Sequence, residues 1–165
     1  METIKNFELC IKEVSIDVPS YYKKSLNSIE KCAEFSRSLI GNKVQEHFII
    51  FLIDDALNLL GYQTIAIGKQ ESVSIDMKIL FRGAIEVGAT YFIVSHNHPN
   101  AVMKPSEIDI KTSHIIQLAG DLVGITMLDH FIVSSVGSIS MYSMGLLKGR
   151  TERSNSLHRL LEGKV

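Results

Sequence analysis

The stretch Ser95–Asp109, SHNHPNAVMKPSEID, constrains this chain more than any other part of it. It is entered from Tyr91–Ser95 (YFIVS), aromatic and β-branched with no charge, which predicts a buried strand. His96 and His98 follow at i and i+2. In an extended backbone alternate side chains share a face, so both imidazoles can point at one spot. Pro99 then stops the strand, because it has no N–H for the ladder. Pro105-Ser106 opens the next element: Ser106 is a good N-cap, Glu107 and Asp109 fill the first turn, and an apolar-periodic run follows. Asp109 is therefore expected on the first turn of a helix, at the end of a loop folding back toward the histidines.

Two neutral imidazoles and one carboxylate form a three-ligand set for a catalytic zinc (Zn2+), with a fourth position for water whose pKa falls to about 7. Such chemistry also needs a carboxylate as proton shuttle and a donor for the oxyanion that forms at an attacked carbonyl. Glu46 is the candidate shuttle, as the acidic residue that leads into EHFIIFLI, a run long enough for a central strand. Ser106 is the candidate donor. Each residue has a plainer role to weigh. The histidines can cap carbonyls at a strand end, although a pair followed by Ser-x-x-Asp favours ligation. Asp109 can close a capping box by reaching back to the Ser106 N–H, and a glutamate at a strand mouth is ordinarily just solvated. His130, in LDHFIV, reads first as a satisfied core histidine; the alternative is a group that orients a ligand, alone or with Asp129. His47 and His114 read as surface or packing residues, and His158, in a polar tail, carries no signal.

His-x-His, ten residues, then Asp, with Ser three before the Asp and a Glu heading an earlier strand, resembles the JAMM (JAB1/MPN) metalloprotease motif. The wider pattern of QEHFIIFLID, GYQTIAIG, SHNHP, KPSEIDIKT and GITMLDHFIV is similar to the RadC-like branch of that superfamily, from about Lys43 to Tyr142. The resemblance implies that His96, His98 and Asp109 bind zinc, that Glu46 is the general acid/base, and that Ser106 helps hold the oxyanion. It also implies an α/β (α+β) fold, a mixed sheet with helices packed on its faces in a cytidine-deaminase-like sandwich. The deaminases of that architecture need His-x-Glu and Pro-Cys-x-x-Cys, and this chain has neither. The chain departs from the branch after HNHP, where Ser-Gly-Asp-Pro-Thr is usual and Asn100-Ala101-Val102-Met103-Lys104 stands. Ligands and Ser106 are kept, while a glycine and an acid give way to apolar bulk, a change that bears on substrate choice more than on metal binding.

With 165 residues, 45% of them hydrophobic, the chain is long enough for one domain with a sizeable core. A net charge of −1 offers no electrostatic footprint for nucleic acid, so direct DNA binding is disfavoured. Cys10 and Cys32 have no framework spacing and read as small buried hydrophobes in a reducing compartment. No apolar run suits a membrane span and METIKNFELC lacks a signal-peptide core, so a cytoplasmic location is expected. The function expected first is zinc-dependent hydrolysis of amide bonds, with a polypeptide or protein conjugate as substrate because the loop at 100–104 is apolar. The alternative, from the repair label of the RadC-like branch, is a DNA-repair-associated or mobile-element accessory protein that acts by binding, with or without turnover. Members of that branch often carry an N-terminal helix-hairpin-helix, for which residues 1–40 show no Gly-hairpin signal. The letters HNH at 96–98 do not make an HNH nuclease, whose residues are spread over a ββα unit.

In chain order, Phe7–Val18 predicts an interrupted strand, Ser28–Ile40 a helix, and His47–Ile53 with Leu59–Ile67 a hairpin. Tyr21–Lys24 and Gly68–Glu71 read as turns. A helix over Asp76–Val87 is expected to lie on the sheet. Another runs from Glu107, with Gly124 at its C′ position and Gly120 weakening its last turn. Strands follow at Ile125–Ser135 and Ser138–Ser143. Residues 1–42 belong with the RadC-like domain at 43–144, and the polar stretch 145–165 reads as a solvated tail or short docking helix.

Overall fold

The computed structural model describes residues 29–68 and 75–162. The strand expected between Phe7 and Val18, Cys10, the Tyr21–Lys24 turn and most of the Gly68–Glu71 turn lie outside them. Within them the order is α1 (Ile29–Ile40), β1 (Glu46–Ile53), β2 (Leu59–Gly68), α2 (Met77–Glu86), β3 (Tyr91–Asn97), α3 (Glu107–Leu122), β4 (Thr126–Val133), β5 (Ser138–Ser140) and α4 (Arg150–Leu161). The strands form one mixed sheet in the order β2-β1-β3-β4-β5, in which only the β3–β4 pair is parallel. The parallel pair is joined through α3, as a crossover connection requires.

The uncharged run of β1 is explained by burial on both faces. Phe48, Ile50 and Leu52 pack with Phe92, Val94, Leu80 and Phe81 of α2, and Ile116 of α3. Ile49, Phe51 and Ile53 point the other way, onto Ile93, Phe131, Val133 and the Cys32, Phe35 and Ile40 side of α1. The α+β architecture is thus a sheet with α1 on one face and α2 and α3 on the other. Cys32 is 2% exposed. Burial, with the charge of Asp129, pushes its thiol up to about 11, so it behaves as core.

Both helices that cover the site-bearing face end in the same way. After α2, Gly88 (φ +70) lets Ala89 N–H reach Ala84 O at 2.9 Å; after α3, Gly124 (φ +78) lets Ile125 N–H reach Gly120 O at 2.8 Å. β3 runs two residues beyond the expected Ser95, so that His96 is paired with Phe48 inside the sheet. β5 is shorter than expected, because Tyr142 N–H leaves the ladder for the Asp129 carboxylate at 2.9 Å. Among the described residues after Met144 most of α4 is exposed, but the segment is tied to the domain at a few points, as a short docking helix would be. Its approach is strapped to α3 by His114 on Leu146 O (2.8 Å) and by Gln117 on Lys148, and α4 adds an Arg153–Asp121 ion pair at 2.7 Å.

Gly120 has a reason to be glycine that composition does not show. A Cβ there would meet Ile125 O at 2.5 Å and Phe92 Cε1 at 2.8 Å. In an exposed helix Gly→Ala gains about 1 kcal/mol; here overpacking should reverse the sign, and Gly120→Ala should destabilise by about 1–3 kcal/mol. Urea denaturation measures it, and a more stable variant would contradict this packing.

Candidate metal centre

His96 shares its face of β3 with Phe92 and Val94, so its ring enters the space beneath α3. His98 lies just past the strand, held in line by its N–H on Val133 O at 2.9 Å. The loop then turns through Ala101, whose N–H meets His98 O at 3.0 Å and whose φ is +58. Val102 O comes back onto His98 Nδ1 at 2.7 Å. A carbonyl only accepts, so Nδ1 carries the proton and Nε2 of the neutral ring presents a lone pair.

Asp109, at the third position of α3, closes the capping box and also faces the two histidines. Ser106 Oγ accepts from Asp109 N–H at 3.1 Å, and Asp109 Oδ2 accepts from Ser106 N–H at 2.7 Å, a complete capping box. The same carboxylate places Oδ1 3.2 Å from His96 Nε2 and Oδ2 3.6 Å from His98 Nε2, while the two Nε2 atoms are 3.0 Å apart. A carboxylate has lone pairs enough for both sets of contacts. His96, His98 and Asp109 are 1%, 6% and 6% exposed. They are a group that could hold a metal ion. The spacing is of the right size: bonds of 2.0–2.2 Å to a tetrahedral ion make ligand–ligand edges of about 3.3–3.6 Å, close to the 3.0 Å between the two Nε2 atoms, the 3.2 Å from His96 Nε2 to Oδ1 and the 3.6 Å from His98 Nε2 to Oδ2.

Electrostatics agree with the geometry. Burial pushes the Asp109 carboxyl up, but His96 and His98, which donate to it from Nε2 only when their rings are protonated, outweigh burial in that state and hold the group well below the usual carboxylate range. The Asp109 hydrogen bond raises His98 above its ordinary 6.5 against the opposing effect of burial. Glu46, at the mouth of β1, lines the same cleft as His96, Asp109, Thr112 and His130. It is half-buried, and its pKa is raised first by burial, with the charge of Asp109 adding and the two histidines opposing.

Two residues that position this site carried no flag in the sequence. Asn97, wholly buried between the histidines, faces the opposite way. Its Oδ1 accepts from His47 N–H at 2.7 Å, and its Nδ2 donates to Lys43 O at 3.0 Å and Gln45 O at 3.1 Å. It therefore clamps the backbone on either side of Glu46. Ser113 lies one helical turn after Asp109, a spacing that could have revealed it. Its Oγ is 2.6 Å from both Asp109 O and His130 Nδ1, while His130 Nε2 is 2.7 Å from His96 Nδ1. His130 is therefore bonded to a candidate ligand as well as buried, which joins the two readings given for it. Asp129, by contrast, bonds to the His130 N–H, Ser140 and Tyr142.

Two expectations follow. Ala101 holds a left-handed conformation that costs an L-residue about 1–2 kcal/mol, at the loop position where the RadC-like pattern has glycine. Ala101→Gly should raise stability by up to about 1 kcal/mol once the greater freedom of the unfolded chain is subtracted, as read from the thermal midpoint. For pH, the raised pKa of His98 means that its pairing stabilises chelator-treated protein fully below 6.5 and is lost as pH rises through the raised value. The same proton competes with a cation for the ring, so zinc measured by calorimetry should bind more tightly at about pH 8 than at about pH 6.

Comparison with known proteins covers the part of the chain that holds this site. A family described as the RadC-like JAB domain matches residues 26–146. A UPF0758 protein of Finegoldia magna is 37% identical over 117 residues, 71% of this chain and 52% of that protein. A UPF0758 protein of Psychrobacter sp. (strain PRwf-1) is 33% identical over 116 residues, 70% of this chain and 51% of that one. A third, from Chlorobaculum tepidum, is 32% identical over 114 residues, 69% and 51% of the two chains. The chain thus spans about half the length of these curated relatives. The matched span contains both histidines, the capped aspartate and the strand that carries Glu46, and the chain belongs to the RadC-like JAB domain family.

Proposed function

We propose that this chain is a zinc-dependent hydrolase of amide bonds, a peptidase or isopeptidase acting on a polypeptide or protein conjugate. The observation that carries the reading is the triangle of His96, His98 and Asp109 ligand atoms, sized for a small cation, beside a half-buried glutamate whose pKa is raised. Zinc held there would supply Lewis acidity and a water ionisable near neutral pH.

The remaining work falls to the chain's own side chains. Glu46, with a proton affinity above that of a solvated carboxylate, accepts the proton of the attacking water and returns it to the departing amine. Asn97 keeps Glu46 in place through the backbone that flanks it. Ser106 Oγ accepts from Asp109 N–H and so keeps its own proton, available to the oxygen of the attacked carbonyl. The apolar rim suits a polypeptide: Ile108 lines the cleft and is 57% exposed, and Val102 on the adjacent loop is 50% exposed.

Metal analysis of the purified chain should find zinc in the wild type and little in His96→Ala. Wild-type protein incubated with a library of linear and lysine-branched peptides should give cleavage products by mass spectrometry, suppressed by chelator. Glu46→Gln should retain zinc and lose about 100-fold or more of the cleavage rate. Cleavage at the wild-type rate by Glu46→Gln would remove Glu46 from the reaction, and cleavage that ignores chelator would remove the metal.

A further inference from the structure

We propose that His130, set by Ser113, is a positioning residue for the metal centre: its Nε2 accepts a hydrogen bond from His96 Nδ1–H and so reserves His96 Nε2 for a cation. This rests on the reading of His96, His98 and Asp109 as a metal site and adds to it two residues that do not themselves touch the ion.

The direction of each hydrogen bond is forced from one end. Asp109 O is a carbonyl and can only accept. Ser113 Oγ lies 2.6 Å from it and has a single hydrogen, which must therefore point there. Ser113 Oγ is then left as acceptor for its second close neighbour, His130 Nδ1, also at 2.6 Å, so Nδ1 bears the proton. A neutral imidazole carries one N–H, which makes His130 Nε2 an acceptor. His96 Nδ1, 2.7 Å away, must donate to it. The lone pair of His96 is thereby placed on Nε2, the atom 3.0 Å from His98 Nε2 and 3.2 Å from Asp109 Oδ1.

The relay starts on the backbone of one candidate ligand and ends on the ring of another. It ties α3, through β4, to β3, and it complements the separate device at His98, where Val102 O fixes the tautomer directly. Packing holds it rigid: Phe48 stacks on His96 with ring centres 6.1 Å apart and 8° between planes, and meets His130 edge-on at 5.6 Å. A histidine that merely filled space would need none of this order.

The test uses zinc as the probe and does not require a substrate. In zinc-loaded wild type, with histidine labelled by 15N, His130 should be the Nδ1–H tautomer, and a coupling through the hydrogen bond should link His96 Nδ1 to His130 Nε2. His130→Leu should lower zinc affinity about 10–100-fold; His130→Gln, whose amide oxygen can accept from His96, should recover most of that loss. An Nε2–H tautomer at His130 overturns the proposal, and so does a folded His130→Leu chain that binds zinc as tightly as wild type. If His130→Leu does not fold, the wild-type spectrum and the Gln variant decide in the same terms. Wild type that binds no zinc would remove the metal reading itself, whereas unchanged affinity in His130→Leu removes only the relay.

Discussion

Two imidazole nitrogens held 3.0 Å apart in a place almost closed to water are the constraint that the surrounding structure serves. Lone pairs at that distance repel unless a proton or a cation lies between them, and burial strengthens the repulsion. Each ring is therefore fixed from behind, His98 by the Val102 carbonyl and His96 by His130. The third corner of the triangle is a carboxylate already pinned at a helix start. Charge, hydrogen bonding and backbone geometry agree in preparing one location for a positive ion.

The scaffold achieves this by making single groups do two things. Asp109 closes the N-terminal cap of α3 and faces the two Nε2 atoms with the same carboxylate. The cap sets the position of the candidate ligand, because the Ser106 N–H that stabilises the helix end also orients Oδ2. Strand β3 divides its side chains between the faces of the sheet: His96 reaches the cleft while Asn97, one residue on, reaches back to hold the approach to Glu46. The candidate ligand and the candidate proton shuttle thus come from adjacent, antiparallel strands and are positioned by neighbouring residues of one of them. This coupling supports the hydrolytic reading more than any single residue does.

The segment beyond Met144 shows what composition leaves out. It is polar, yet its approach is tied to α3 by His114 and Gln117, and Arg153 of α4 meets Asp121. An ion pair and two side-chain clasps need no apolar periodicity, so nothing in the pattern of the sequence announced them. Gly120 was likewise legible only as a cost to its helix, until Phe92 and the Ile125 carbonyl were found where its side chain would be.

What the chain determined by itself was local: a strand ending in His-x-His, a capped helix start carrying Asp109, apolar runs long enough for buried strands, and glycines where helices end. These depend on backbone periodicity and on contacts within a few residues, which a sequence displays directly. His130 was decided only in three dimensions. The β3–β4 register shifts by one residue between Phe92 and Ile93, so that Met127 lies opposite Phe92 but His130 opposite Val94. Simple alternation from Met127 would have sent Asp129 to the metal side and His130 away from it. The irregularity reverses this, because side-chain direction in a strand has a period of two and one extra residue exchanges the faces.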